Sequence, residues 1–388
     1  MKILIISILI ALAATSFSAD VHARVWYITV DGNGDLPTIQ AAIDTAAEGD
    51  TVLVAAGRYT WDNQGSGSDY GLIRFLRGAT GFKFLSESGA EATILDAQGQ
   101  GRVCYIQGYN QLTIDGFTFA NGVAPAFGYY AGGGIVGHLS SPIIKNCIFR
   151  NNTAEQGGGI WYGGQNAVRL INCLFYNNTA DLGAGVFWIN SELSASFRNC
   201  SFYNNHATRY GGAIFLYNVY ATFLNCTIYD NSAGERGGGL YCDRIHPVTF
   251  TQCTFSENSC TDGSGIYLWR DNSTLTVEQC IVAFGQGGPA LAIVNGTIDI
   301  SCSDVFGNEG GNDFPPGTTD AGGNFSADPR YCGTLGEFIY TLQETSPCAP
   351  GNHPDGLDCG RIGSRNVQCG GVPVERKTLG TIKHLFTD

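Results

Sequence analysis

The chain has 388 residues, 44% of them hydrophobic and only 14% charged, with 54 glycines and a formal net charge of −13. That acidic balance argues against nucleic acid and anionic membrane surfaces as partners and fits an exported protein. The length would allow two or three ordinary domains, but an internal repeat makes the chain one elongated body.

In chain order, Met1-Lys2 precedes an apolar run over residues 3–14 and then small and polar residues. This is the pattern of a secretory signal peptide, placed at residues 1–23, and the run is too short to span a membrane. Cleavage after Ser18 and after Ala23 both fit. No other stretch is apolar for long enough to cross a bilayer as a helix, so the mature chain is expected to carry no transmembrane helix. Residues 25–30 read as a strand and residues 31–35 as a turn. Pro37 opens a predicted helix in which Ile39, Ala42, Ile43 and Ala46 share one face. Such a helix would plug the open end of a stack of coils, which would otherwise expose core and unpaired strand edges. Residues 51–55 then start the first coil. Residues 61–70 are polar and predict a surface loop, and residues 72–75, 82–85 and 92–95 are strand candidates. A regular register begins at residues 112–119, with residues 123–130 lengthening that coil.

The repeat itself is carried by cysteine. Ile144, Leu170, Phe197, Phe223, Phe250 and Val277 are each followed three residues later by Cys147, Cys173, Cys200, Cys226, Cys253 and Cys280, at steps of 26 or 27 residues. A bulky apolar residue comes next (Phe149, Phe175, Phe202, Ile228, Phe255), then an asparagine (Asn152, Asn178, Asn205, Asn231, Asn258). A small-residue cluster ending in an aliphatic follows, with Ile160, Val186, Ile214, Leu240 and Ile266 in equivalent places. Alternation at a spacing of two, broken by glycine and asparagine, signals strands. About 26 residues at roughly 3.3 Å per strand residue make one coil of three short strands, and coils stack about 4.8 Å apart. The expected fold is therefore all-β: a single-stranded right-handed parallel β-helix over residues 24–325 with an N-terminal helix cap. The hand rests on the general chirality of parallel crossovers. Stacked asparagines would hydrogen-bond amide to amide, which satisfies polar turn groups inside the stack.

From about Asp304 the pattern decays into Gly-, Pro- and Asp-rich sequence. Residues 326–371 form a Cys-rich segment expected to close the C-terminal end, with Cys332, Cys348, Cys359 and Cys369 as disulfide candidates. Of the three connectivities, pairing of neighbours, Cys332 with Cys348 and Cys359 with Cys369, is favoured. The tail at residues 372–388 carries Leu379, Ile382 and Phe386 at helical spacing, which suits an end cap, an export tag or disorder. The six ladder cysteines lie on a line, whereas metal ligands converge on a point, so they read as buried free thiols and no metal site is assigned. Disulfides between adjacent ladder cysteines are disfavoured by the coil spacing.

Phe149-Arg150-Asn151-Asn152 and its equivalents, alternating with Gly211-Gly212-Ala213-Ile214 and its variants, resemble the FxxN and GGA(I/L/V) repeats of the chlamydial polymorphic outer membrane proteins. Pro37-Thr38-Ile39-Gln40-Ala41-Ala42-Ile43-Asp44 followed by Gly49-Asp50-Thr51-Val52-Leu53-Val54 resembles the opening of secreted β-helix proteins of the pectin-lyase-like superfamily. The resemblance implies a right-handed β-helix. For function it implies a range from lyases, hydrolases and epimerases to non-catalytic surface adhesins. Unlike the adhesins, the sequence is not expected to carry their outer-membrane barrel after Cys369.

No catalytic residue stands out. Glu155 and Asp181 share a turn position, with Arg209, Glu235, Arg236 and Asp262 in later coils. This row offers oxygen ligands that could bind calcium, but alternating charge on a solvated turn is the commoner explanation. Asp243, Arg244, Arg270 and Asp271 form a second set. Alternation places Trp161, Phe187, Phe215, Tyr241 and Tyr267 on the outside of one strand column, flanked by Tyr217 and Trp269. A stripe of rings on a sheet face binds sugar rings or a partner surface; stacking for stability is the alternative. The sequence thus points to a secreted or cell-surface protein, non-catalytic, binding a glycan or another surface molecule through its lateral face at Trp161, Phe187, Phe215, Tyr241, Tyr267 and Trp269. A polysaccharide lyase, epimerase or hydrolase is the alternative.

Overall fold

The computed structural model describes residues 23–64, 71–76, 81–108, 110–124, 131–164, 167–270, 273–332 and 340–369. Residues 1–22, where a signal peptide is expected, the tail at 372–388, residues 125–130 and Asp271 lie outside them. The described chain is a parallel β-solenoid. The coils build three sheets: a long sheet, a second sheet of ten strands, and a short sheet of five strands to which only some of the coils contribute; a further sheet of three strands lies in the C-terminal segment.

One coil shows how the sequence builds all three. Leu174–Tyr176 lies in the second sheet, Thr179–Leu182 in the short sheet, and Val186–Arg198 in the long one. The second-sheet strands stack in register, Phe149 on Phe175 on Phe202 on Ile228 on Phe255. The aliphatic column does the same, Ile160 on Val186 on Ile214 on Leu240 on Ile266. Both columns are buried in one continuous core. Rings of like residues meet face to face there, with Phe149 and Phe175 at 4.6 Å and Phe223 and Phe250 at 4.2 Å between centroids. That spacing is the coil repeat itself, so stacking needs no distortion of the sheet.

The paired asparagines do two different jobs. The first of each pair, as in Asn151, Asn177 and Asn204, takes φ near +54°, the left-handed bend that asparagine tolerates better than most residues. The second turns inward and forms a buried amide ladder: Asn178 Nδ2 donates to Asn205 Oδ1 at 2.9 Å and Asn205 Nδ2 to Asn231 Oδ1 at 2.9 Å. The ladder cysteines are free buried thiols. Their column ends where Ser303 Oγ accepts from Cys280 N at 3.0 Å, so Ser303 occupies the next rung and Cys302 is displaced from it.

At the N-terminal end the first rung comes earlier than residues 51–55. Val25–Ile28 already pairs in parallel with Thr51–Val54. Helix Ile39–Thr45 packs Ile39, Ala42 and Ile43 onto the core. Its N-cap is Thr38, whose Oγ1 accepts from Ala41 N at 3.1 Å, and Pro37 lies just outside. Residues 61–70 are not all surface loop: Trp61–Gln64 is a helical turn, and the buried Gln64 Oε1 accepts from Ile39 N at 2.8 Å. A helix N-terminus left without that acceptor would bury an orphan donor.

The C-terminal segment departs further from expectation. Cys359 is joined to Cys302, with their Cα atoms 5.5 Å apart, and Cys348 is a free buried thiol. Cys332 is disulfide-bonded as well. Neighbour pairing fails because the segment, whose strands Tyr331–Cys332, Thr341–Gln343 and Val367–Cys369 pair into a small sheet, packs against the side of the solenoid and so brings Cys359 to Cys302. Ser364 Oγ meets Thr227 Oγ1 at 2.8 Å, Gly363 N donates to Gln279 O at 2.7 Å, and Tyr340 packs on Tyr229 at 4.8 Å. Ile281, Ala283, Leu342, Cys348, Cys359 and Ile362 make a second small core between the segment and the solenoid.

Candidate functional site

The outer face of the long sheet holds the ring column found in the sequence. Trp161, Phe187, Phe215, Tyr241 and Tyr267 are in register and point away from the lumen, and Phe187, Phe215 and Tyr241 stack at 4.8 Å intervals. They are not an open stripe. Trp161 is 4%, Tyr241 4% and Tyr267 1% exposed, and together they form a separate apolar cluster. The cover comes from the glycine corner preceding each of these strands. Gly183, Gly237 and Gly263 hold φ of +60°, +66° and +68°. A Cβ on Gly183 would lie 2.9 Å from Phe215 Cβ, and one on Gly237 or Gly263 3.0 Å from the Cβ of Tyr241 or Tyr267. With no side chains at the corner, the chain closes down on the rings, and Leu182 and Tyr210 pack over them. Tyr210 stacks on Tyr241 at 4.9 Å.

Two residues further along the same strands the face opens. Ile189, Tyr217, Asp243 and Trp269 form one column by register. Tyr217 and Trp269 are half-buried and pack against the ring cluster. Arg236 reaches across from the short-sheet side, its guanidinium 5.3 Å from the Tyr267 ring and 4.7 Å from the Trp269 ring. Arg244 Nη1 donates to Tyr217 Oη at 3.1 Å. Beyond the corner, Tyr220 and His246 stack at 4.3 Å.

The corner itself changes at this place. In earlier coils it is occupied by Asn190 and Asn218, both left-handed, with Asn218 Nδ2 donating to Asn190 Oδ1 at 3.0 Å. In the next two coils Arg244 and Arg270 stand there at φ +52° and +75°. Arginine in that region costs about 1 kcal/mol or more, and such strain collects at functional sites.

Asp243 sits between these arginines. It is nearly buried, its Oδ1 has no hydrogen-bond partner among the described residues, and it lies 3.7 Å from Arg270 Nε. Burial pushes its carboxyl above the usual range, and Arg270 and Arg244 oppose that shift. The other charged row is differently arranged. Asp181 takes Arg209 Nε on both oxygens, at 2.8 and 2.9 Å, and Thr208 Oγ1 at 2.5 Å; those hydrogen bonds, Arg209's first, hold its carboxyl low. Asp181 is thereby engaged as one half of a surface ion pair. Among the described residues no group of three or more His, Cys, Asp or Glu side chains could hold a metal ion, so the calcium reading of the Glu155 row finds no converging ligands there.

The structure thus separates the six predicted ring residues. Trp269 belongs to the open patch; Trp161, Phe187, Phe215, Tyr241 and Tyr267 form the sealed bed beneath it. Tyr217, Asp243, Arg244 and Arg270 join Trp269. The available signal was the loss of asparagine at a repeat position that had held it in two coils running.

Residues 158–314 match the family described as right handed beta helix region, and residues 146–162 match the Chlamydia polymorphic membrane protein repeat. The fold of this chain is a right-handed parallel β-helix. The β-helix is similar to the crystal structure of pectate lyase Pel9A, with a TM-score of 0.54 at 12% identity, covering 89% of this chain and 96% of that one. A pectin methylesterase from carrot aligns with a TM-score of 0.38 at 15% identity, over 87% of this chain and 95% of that one. At these identities the likeness is one of fold. No curated protein matches the chain. Among the described residues no helix of this β-helix is long and apolar enough to cross a membrane.

Proposed function

We propose that this β-helix is a secreted or cell-surface protein that binds a glycan through the outer face of its long sheet, without acting on it chemically. The observation that carries the reading is the replacement of two asparagine corners by Arg244 and Arg270 beside half-buried Tyr217 and Trp269. Rings offer sugar C–H faces a flat apolar surface, and arginines and a carboxylate fix the hydroxyls. The signal-peptide pattern, the match to a surface-protein repeat and the disulfide support an extracellular place. The test is retention on a glycan array by the purified protein and by Trp269→Ala. Retention by the parent and its loss in the variant support the proposal; equal retention sinks it.

One observation favours a second reading, a polysaccharide lyase, epimerase or hydrolase. Asp243 is a nearly buried carboxylate with a raised pKa beside two guanidinium groups, a setting in which acid–base groups are found. Depolymerisation of acidic polysaccharides by the parent chain, with and without added calcium, and its absence in Asp243→Asn, would establish that reading in place of the first.

A further inference from the structure

The C-terminal segment creates a cavity where it meets the coils. Its volume is about 220 Å³, and Asn199, Ser201, Asn225, Arg361, Ser364 and Arg365 are among its lining residues. This place is on a different corner of the solenoid from the ring patch. It lies at the bend into the second sheet, where Asn172, Asn199 and Asn225 form an outer amide ladder.

The electrostatics are unusual for a protein of net charge −13. Two guanidinium groups line the cavity, and among the described residues neither has a carboxylate within ion-pair distance. Arg361 is held by neutral amides: its Nη2 donates to Asn225 Oδ1 at 2.7 Å and Gln252 Oε1 at 3.1 Å, and its Nη1 to Asn366 Oδ1. Its Nε is buried without a partner among the described residues. Burial draws its pKa below the ordinary value, as expected for a cation lacking a counter-ion. Among the described residues Arg365 is tied only by a long contact from Nη2 to Ser201 Oγ, 3.3 Å. A planar guanidinium fork with free donors suits a carboxylate, and the surrounding hydroxyls and amides suit sugar hydroxyls. The volume is below that of drug-sized sites, roughly 300 Å³ and up, so the ligand is a single ring or chain end.

We propose that this cavity binds one carboxylate-bearing sugar unit, a uronate, with Arg361 and Arg365 on the carboxylate and Asn199, Ser201, Asn225 and Ser364 on its hydroxyls. The site is independent of the ring patch and does not require that reading to hold.

The test is calorimetric titration of the full chain with D-glucuronate, D-glucose and inorganic sulfate. Glucuronate should bind roughly tenfold or more tightly than glucose, the worth of a charge-assisted hydrogen bond. Arg365→Gln should weaken glucuronate by about the same factor while the thermal midpoint stays put, and Arg365→Lys should retain part of the affinity. Trp269→Ala should leave glucuronate binding unchanged, which separates this site from the ring patch. No heat with glucuronate, equal affinity for glucose, or an unaltered affinity in Arg365→Gln overturns the proposal. Sulfate binding as tightly as glucuronate and competing with it overturns the sugar assignment, since the cavity would then read charge alone.

Discussion

Tyr241 and Asp243 leave one strand of the long sheet on the same side, two residues apart, and so do Tyr267 and Trp269. The Phe187, Phe215, Tyr241, Tyr267 column is sealed, whereas the Ile189, Tyr217, Asp243, Trp269 column has open edges and charged neighbours. Alternation along a strand decides which side of the sheet a residue takes. It does not decide whether that side is wet. Glycine corners close over the first column and end before the second, so the dry rings become a rigid bed and the half-buried ones an accessible rim.

The contrast can be broken or sharpened by experiment, beginning with the largest effect. Asp304 also points away from the lumen, yet the C-terminal segment buries it completely; its Oδ1 accepts from Ala327 N at 3.0 Å and its Oδ2 from the Cys348 thiol at 3.3 Å. Burial pushes its carboxyl up to about 7. The folded state therefore holds this proton more tightly than the unfolded chain, whose carboxyl titrates near about 4. Its stabilising effect is complete below about pH 4 and is lost as pH rises to about 7, up to about 4 kcal/mol in all. Urea unfolding of Asp304→Asn should show that slope removed; an unchanged pH profile would mean that the segment does not cover the site.

Next comes the sealed column. Tyr241→Ala should cost about 3 kcal/mol by denaturant unfolding, the loss expected for a buried ring. A loss under about 0.5 kcal/mol would show that the ring is solvent-exposed after all. On the open column Trp269→Ala should cost only about 1 kcal/mol, since one side of the ring already meets water, while glycan retention disappears. The smallest effect is a gain. Arg244→Asn restores the residue type that suits the left-handed corner and should stabilise the fold by about 0.5 kcal/mol while weakening glycan retention. A stability loss there would mean that the Arg244 contact to Tyr217 outweighs backbone strain.

Much of the solenoid was legible because its signals are local and repeated. Cys147 to Cys280 mark the coil length, and the Phe149 and Ile160 columns mark the inward faces through simple parity. The asparagine pair was legible as structure, although only the backbone angles divide it into a bend residue and a ladder residue. The site was half legible. Trp269 and the set Asp243, Arg244, Arg270 could each be picked out, but their meeting depends on coil-to-coil register, and exposure depends on how closely neighbouring corners approach.

Residue chemistry at a fixed period was enough to determine the coil, its core and its acidic, sparsely charged surface, since in a parallel stack each position is packed by its own repeats. Which outward rings stay dry, which cysteine meets Cys359 and where the C-terminal segment lies were decided only by the tertiary structure. Those outcomes turn on contacts between residues far apart in the chain, such as Cys302 with Cys359 or Ser364 with Thr227, whose distances no local pattern encodes.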